Sequence, residues 1–113
     1  MSSLSIRLRF DPVRTLGFAS ISGSYMGVGT SLDVPARQIF IQNLTDATLM
    51  FSFNGIDDHF PLPENGFFLN DITSNKTSNQ GFFLAEGERL YVKEVGTPTT
   101  GDVYFTVIYG SDN

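Results

Sequence analysis

The residues with the clearest chemical potential lie in one short polar run that contains Asn54, Asp57, Asp58 and His59. His59, the single histidine, could act as a general base or bind a metal ion, and the neighbouring oxygens could bind calcium. The chain has no cysteine, and the spacing matches neither a zinc-binding helix nor an EF-hand loop. The run therefore predicts a polar loop beside a hairpin.

Two further groups of oxygen-bearing side chains have the same explanation. Glu86 and Glu88 flank a glycine in a predicted turn, where carboxylates two residues apart are usually solvated. The other group follows a predicted strand and is suited to bonding loop amides; it comprises Asn70, Asp71, Ser74 and Asn75. The serines lack a nucleophile elbow, and the glycines lack the lysine of a phosphate-binding loop. We expect no enzyme activity, no metal and no cofactor.

Aromatic rings offer a different chemistry, the stacking of sugars. The chain has no tryptophan, and aromatic residues in strands of this kind are more often in the core. The available tyrosines are Tyr25, Tyr91, Tyr104 and Tyr109. A carbohydrate- or receptor-binding module therefore stays open as the alternative to an assembly subunit.

Composition indicates one small domain with a low density of charge. The chain has 113 residues, of which 17% are charged and 41% hydrophobic, against roughly 25% charged residues in an average domain. A surface poor in charge suits an assembly subunit, although an ordinary soluble domain could have the same composition. No apolar run is long enough for a membrane helix, and the N-terminus lacks the apolar region of a signal peptide, so we expect no membrane insertion and no Sec export.

The net charge of −5 is unevenly distributed. Residues 1–37 carry +2, whereas residues 38–113 carry −7. The acidic body argues against nucleic-acid binding, which needs clustered lysine and arginine. The asymmetry either favours head-to-tail contact between identical subunits or is accidental.

Alternating apolar residues predict strands along most of the chain. In the first of them, Leu4, Ile6, Leu8 and Phe10 are expected to form a buried face. Asn54-Gly55 predicts a type I′ hairpin turn. The predicted strands cover residues 4–10, 37–43, 48–53, 60–62, 67–72, 81–84, 89–95 and 102–109. Short strands with turn signals between them and no helical periodicity predict an all-β fold, either an antiparallel β-sandwich of jelly-roll type or a small barrel.

The N-terminal third differs from the rest, because it is rich in glycine and serine. We predict an extended arm over residues 1–35 and a β-sandwich core over residues 36–113. The hypothesis is that the arm grips a neighbouring subunit, so that deleting it leaves a folded monomer that does not assemble. The expected assembly contacts are Arg7, Arg9, Arg14, Phe18, Tyr25 and Met26.

Two segments, residues 37–58 and 84–109, carry a resemblance to a class of known proteins. The order of RQIFIQNLTDATLMFSFNG, GERLYVK and GTPTTGDVYFTVIY resembles that of small virion proteins of tailed bacteriophages. The resemblance implies a β-sandwich subunit used for capsid decoration or cement, or in the head-to-tail connector. It further implies assembly in the host cytoplasm, a location in the virion, and as partners copies of the chain and other virion proteins such as major capsid, portal or neck proteins.

Overall fold

The computed structural model describes residues 7–71 and 85–111, and these form two packed antiparallel sheets. The all-β prediction and the β-sandwich are confirmed, whereas the alternative of a small barrel is wrong because the sheets do not close on themselves. No α-helix occurs in the described residues. The strands are β1 (Arg7–Phe10), β2 (Arg14–Gly17), β3 (Met26–Gly27), β4 (Gln38–Asn43), β5 (Leu49–Ser52), β6 (Phe60–Leu62), β7 (Phe67–Asp71), β8 (Tyr91–Glu94) and β9 (Asp102–Ser111).

The strand order is that of a jelly roll. The larger sheet has the order β1-β9-β4-β7, with β2 also pairing with β9, and the smaller sheet has the order β3-β8-β5-β6. β1 and β2 pair with the same edge of β9 and can be counted as one interrupted strand. The sandwich then consists of two sheets of four strands each. Eight strands divided between two sheets in this order are the double-sheet arrangement that viral capsid and lectin domains share.

The core lies between the inner faces of the two sheets, as the alternation of apolar residues predicts. Ile39 and Ile41 of β4 are buried, and so are Leu49 and Phe51 of β5. In β9, Val103, Phe105 and Val107 are fully buried.

The N-terminal strand contradicts the expected direction of its apolar side chains. Between the pairs Phe10–Ile108 and Arg14–Phe105, three residues of the N-terminal segment face two of β9. This bulge reverses the side to which alternate residues point. Leu8 and Phe10 consequently face outward and are 57% and 70% exposed, while Leu4 and Ile6 lie outside the described residues.

Residues 18–36 hold the two sheets together at one side of the sandwich. The amide of Val28 donates to the carbonyl of Leu90 at 2.7 Å, and that of Leu32 donates to Glu88 at 2.7 Å. Ile21, Val28 and Leu32 are buried in the common core. In addition, β1 and β2 pair with β9 and β3 pairs with β8, so strands from before and after residue 35 share each sheet.

The loop after Asn54 differs from the predicted turn. β5 and β6 do form an antiparallel hairpin, but its connection runs from Phe53 to His59. Gly55 has a positive φ of 73° and Asn54 does not, so the two-residue type I′ turn is wrong. The Asn54 side chain instead accepts hydrogen bonds from the amides of Ile56 and Asp57, both at 2.9 Å, and so organises a longer loop.

Candidate protein-binding face

The outer face of the larger sheet is apolar because β4 and β7 carry apolar residues on both sides. In β4, Ile39 and Ile41 point inward, so Phe40 points outward between two glutamines. In β7, Phe68 points inward and packs against Phe60 with ring centroids 4.9 Å apart. Its neighbours on the strand must then face outward.

Phe67 and Leu69 are those outward neighbours, and they are 63% and 62% exposed. Leu69 pairs with Phe40 across the two strands. The Phe67 ring meets the Phe40 ring edge to face, with centroids 5.7 Å apart. The three side chains thus form one continuous apolar surface at the β4–β7 side of the sheet.

Phe10 extends this surface to the opposite edge of the sheet. It pairs with Ile108 of β9, and Ile108 pairs with Gln38 of β4. The exposure of Phe10 follows from the bulge, which turns it away from the core. We call the resulting surface the outer patch; it consists of Phe10, Phe40, Phe67, Leu69 and Ile108.

The outer patch is interrupted by uncharged side chains on β4 and β9, and the carboxylate-bearing Asp71 occupies the outward register position at the end of β7, opposite Gln38. By register, the intervening outward positions on β4 and β9 are Gln38, Gln42, Tyr104 and Thr106. Three rows of outward residues on four strands cover about 400 Å² in projection. The apolar side chains of the patch occupy part of this area, and an exposed apolar patch of a few hundred Å² is often functional.

The outer face of the smaller sheet carries charged and hydrogen-bonded groups instead. Lys93 lies 3.0 Å from a carboxylate oxygen of Asp58, and its ammonium group stands 4.8 Å from the centre of the Tyr25 ring. The Tyr25 hydroxyl donates to the same Asp58 oxygen at 2.5 Å. The hydrogen bond from Tyr25, followed by that from Lys93, lowers the pKa of Asp58, and burial, reinforced by Asp58, raises the pKa of Tyr25.

The loop between β5 and β6 folds back over this second face. Ser52 is completely buried beneath it and accepts hydrogen bonds from the amides of Asn54 and Gly55. A Cβ atom on Gly55 would lie 3.4 Å from the Tyr91 ring, so the loop backbone rests on that ring. The Arg89 guanidinium stands 5.7 Å from the centre of the same ring, and the chain thereby covers this face with its own residues.

The expected assembly contacts are spread over the structure. Arg14 is buried: it donates to Asp11 at 2.7 Å and, from Nε, to the Thr30 carbonyl at 2.9 Å. Arg9 lies exposed on β1, and the side chain of Arg7 lies outside the described part. Phe18 is half-buried in a short 3₁₀ turn.

Tyr25 and Met26 lie at the β3 edge of the smaller sheet, whereas the outer patch lies on the larger sheet. Tyr25 is engaged with Asp58 and Lys93, whereas Met26 is 42% exposed. The six residues therefore do not form one surface, and whether any of them contacts a partner stays a prediction.

The oxygen-rich residues singled out in the sequence act within the loops. His59 Nδ1 accepts a hydrogen bond from the amide of Phe53 at 3.0 Å, and the Asn54 amide group donates to Asp57 at 2.8 Å. Within residues 7–71 and 85–111, no three histidine, aspartate or glutamate side chains are grouped as a metal site would require. Ser74 and Asn75 lie outside the described residues.

An open groove of about 400 Å³ lies beside Arg14, lined also by Asp11, Val13, Gly29 and Asp33. The guanidinium group of Arg14 already contacts Asp11 and two backbone carbonyls, those of Thr30 and Ser31. Its donors are therefore directed at the protein itself, and its role is to join the β2 edge to residues 29–33.

Sequence reasoning did not identify the outer patch, although a signal was present. Phe40 lies between two glutamines on the side of β4 opposite Ile39 and Ile41, and β7 begins with three apolar residues in succession. A strand that is apolar on both sides predicts contact on both sides.

No helix in the described part of the chain is long and apolar enough to cross a membrane. Comparison with known proteins found no family model, curated protein or solved structure that matches this chain.

Proposed function

We propose that this protein is a non-catalytic structural subunit that works through protein–protein assembly, and that the outer patch is its main contact surface. The observation that carries the proposal is the exposure of Phe10, Phe67 and Leu69 on one regular sheet face, each above 60%. Removing such side chains from water against a partner is favourable by about 25 cal/mol per Å² of apolar surface, before the cost of association is subtracted. The outer face of the smaller sheet lacks this driving force for association, because the chain covers that face with its own residues.

The assembly we propose is a tailed-phage particle, with the subunit in the capsid or the head-to-tail connector. The support for this step is the resemblance in residues 37–58 and 84–109, together with a strand order found in viral capsid domains. The same strand order occurs in lectin domains, and fold alone does not assign function. The proposed partners are copies of the chain and other virion proteins, and the proposed location is the virion, assembled in the host cytoplasm.

The proposal is tested by sedimentation of the tagged chain from the lysate of phage-producing cells. We expect the wild-type chain to sediment with particles. Leu69→Lys should stay in the light fractions, since a charge in the outer patch opposes burial. The matched control is Ile56→Lys, because Ile56 is 80% exposed but lies on the β5–β6 loop.

Two outcomes would overturn the proposal. A wild-type chain found entirely in light fractions is not a particle subunit. A chain that sediments with particles regardless of Leu69→Lys, but not with Ile56→Lys, uses the loop surface instead. In either case binding to a glycan array becomes the next measurement, since it tests the receptor-binding alternative.

A further inference from the structure

We infer that the outer patch binds the outer patch of a second copy of this chain, so that two larger sheets pack face to face around a two-fold axis. This inference rests on the proposed function and names the partner at the same surface. It requires that two identical faces be compatible in charge, in shape and in area.

Charge permits the pairing although the chain carries −5 overall. The outward positions between the apolar residues of the patch are glutamine, threonine and tyrosine at Gln38, Gln42, Tyr104 and Thr106. Asp102, which accepts a hydrogen bond from Tyr104 at 3.3 Å, stands at one end of the face. Asp71 occupies a second marginal position, at the end of β7. Because the central positions of the face carry no carboxylate, two copies can meet there without placing carboxylates at the centre of the contact, where like charges would cost several kcal/mol.

Shape also permits it, because two copies of one sheet have the same twist. Sheets of equal twist pack with their strands about 30° apart and their backbones about 10 Å apart. The patch is built on regular paired strands, β1, β9, β4 and β7, and its surface is therefore corrugated in the way that such packing needs.

Area places the complex among the weaker dimers. Two faces of about 400 Å² in projection bury on the order of 1,000–1,200 Å² of accessible surface once side-chain relief is counted. Stable interfaces begin near 1,200 Å². A reversible dimer, whose population depends on protein concentration, is the expected result.

The salt dependence separates this dimer from the head-to-tail contact that the charge asymmetry suggested. Two copies with a net charge of −5 repel each other, and salt screens this repulsion over about 10 Å at 0.1 M. The face-to-face dimer should strengthen as salt is raised. A contact between the basic N-terminal part and the acidic body should weaken instead.

The experiment is the mass of the purified protein by light scattering over a range of concentrations. The wild-type chain and the control Ile56→Lys should move from 12.5 kDa toward twice that mass. Leu69→Lys and Thr106→Glu should stay at 12.5 kDa, with circular dichroism showing that they remain folded. A monomer at all concentrations, a ring larger than a dimer, or a dimer unaffected by Leu69→Lys would overturn the inference.

A charge-swap mixture tests the two-fold axis itself. Thr106 lies on β9, opposite Phe40 and in the middle of the face, so a two-fold axis through the patch places it near its own copy. Thr106→Lys and Thr106→Glu should each be monomeric and should form a dimer when mixed. If the mixture stays monomeric while the wild-type chain dimerises, the axis does not pass through this face.

The two proposals can fail separately. A monomeric wild-type chain that still sediments with particles, and loses this with Leu69→Lys, overturns the second copy as partner but supports the outer patch as a contact with another protein. A chain with neither behaviour overturns both.

Discussion

The two outer faces of the sandwich both carry aromatic residues, but their surroundings differ. On the smaller sheet, Tyr25 and Tyr91 lie against Lys93 and Arg89, and the loop after Asn54 covers the strand beneath. On the larger sheet, the aromatic rings of the outer patch face outward, and the side chains between them on β4 and β9 are uncharged. One face is thus covered by residues of the chain itself, whereas the other leaves its apolar side chains exposed, and we propose that a second protein buries them.

The N-terminal third belongs to both sheets, and its removal is the largest perturbation we predict. Deleting residues 1–35 takes away β1, β2 and β3 and the buried Ile21, Val28 and Leu32. Burial of three such side chains is worth about 5–9 kcal/mol, comparable with the whole stability of a small domain. We expect an unfolded chain in a chemical denaturation experiment followed by circular dichroism.

A truncated chain that unfolds cooperatively would contradict this prediction. It would instead support the arm hypothesis, in which residues 1–35 grip a neighbour and the rest folds alone. The full-length chain under the same conditions is the control.

A substitution at Ser52 tests the outer face of the smaller sheet, which we call the covered face, because the Ser52 side chain is completely buried there. Its hydroxyl donates to Asn54 Oδ1 at 2.9 Å and accepts from two loop amides. Ser52→Ala should lower the free energy of unfolding by about 1–3 kcal/mol, because buried partners lose their hydrogen bonds. Leu69→Thr on the other face should change it by less than about 0.5 kcal/mol in dilute protein. Equal effects of the two substitutions in urea denaturation would remove the distinction between the faces.

Lys93 tests whether the charges of the covered face are held together. Lys93→Met should lower the melting temperature less than Ser52→Ala, because the pair with Asp58 is partly solvated. The effect should shrink in high salt. A salt-independent loss would show that packing of the lysine side chain, and not its charge, stabilises this face.

The pH dependence of the Tyr25–Asp58 contact is the smallest effect we predict. Because the pKa of Asp58 is lowered by its hydrogen bonds with Tyr25 and Lys93, its contribution is present above about pH 4 and is lost as the pH falls through the folded-state value. Because the pKa of Tyr25 is raised by burial and by Asp58, its contribution is present below about pH 10 and is lost above the folded-state value.

Ultraviolet absorbance of the phenolate measures the alkaline limb. One tyrosine should ionise at higher pH than a free tyrosine, and Tyr25→Phe should remove that late step. If the late step remains in Tyr25→Phe, the assignment to Tyr25 is wrong.

The sequence predicts the strands and the inner faces well because alternation reports directly on burial between two sheets. Ile39 and Ile41, or Val103 and Phe105, are recognisable from period two alone. The direction of Leu8 and Phe10 was predicted wrongly because a bulge after Phe10 reverses the alternation. Pro12 predicts that the strand is interrupted there, but the sequence does not indicate how many residues form the bulge.

The outer patch was harder to predict because it depends on strand order. Phe10, Phe40 and Leu69 are distant in sequence and meet only when β1, β9, β4 and β7 are neighbours. The loop after Asn54 was mistaken for a tight turn because an Asn-Gly pair is a strong hairpin signal. The longer loop is favoured because the Asn54 side chain accepts hydrogen bonds from the backbone amides of Ile56 and Asp57.

The central claim is that the outer patch is buried against another protein, and thiol labelling tests it most directly. The chain has no cysteine, so Thr106→Cys and Ile56→Cys each place a single thiol, one within the face and one on the loop. We expect the thiol at position 106 to react more than tenfold more slowly in concentrated than in dilute protein, and the thiol at position 56 to react equally in both. Equal reactivity at position 106 in dilute protein, in concentrated protein and in purified particles would contradict it.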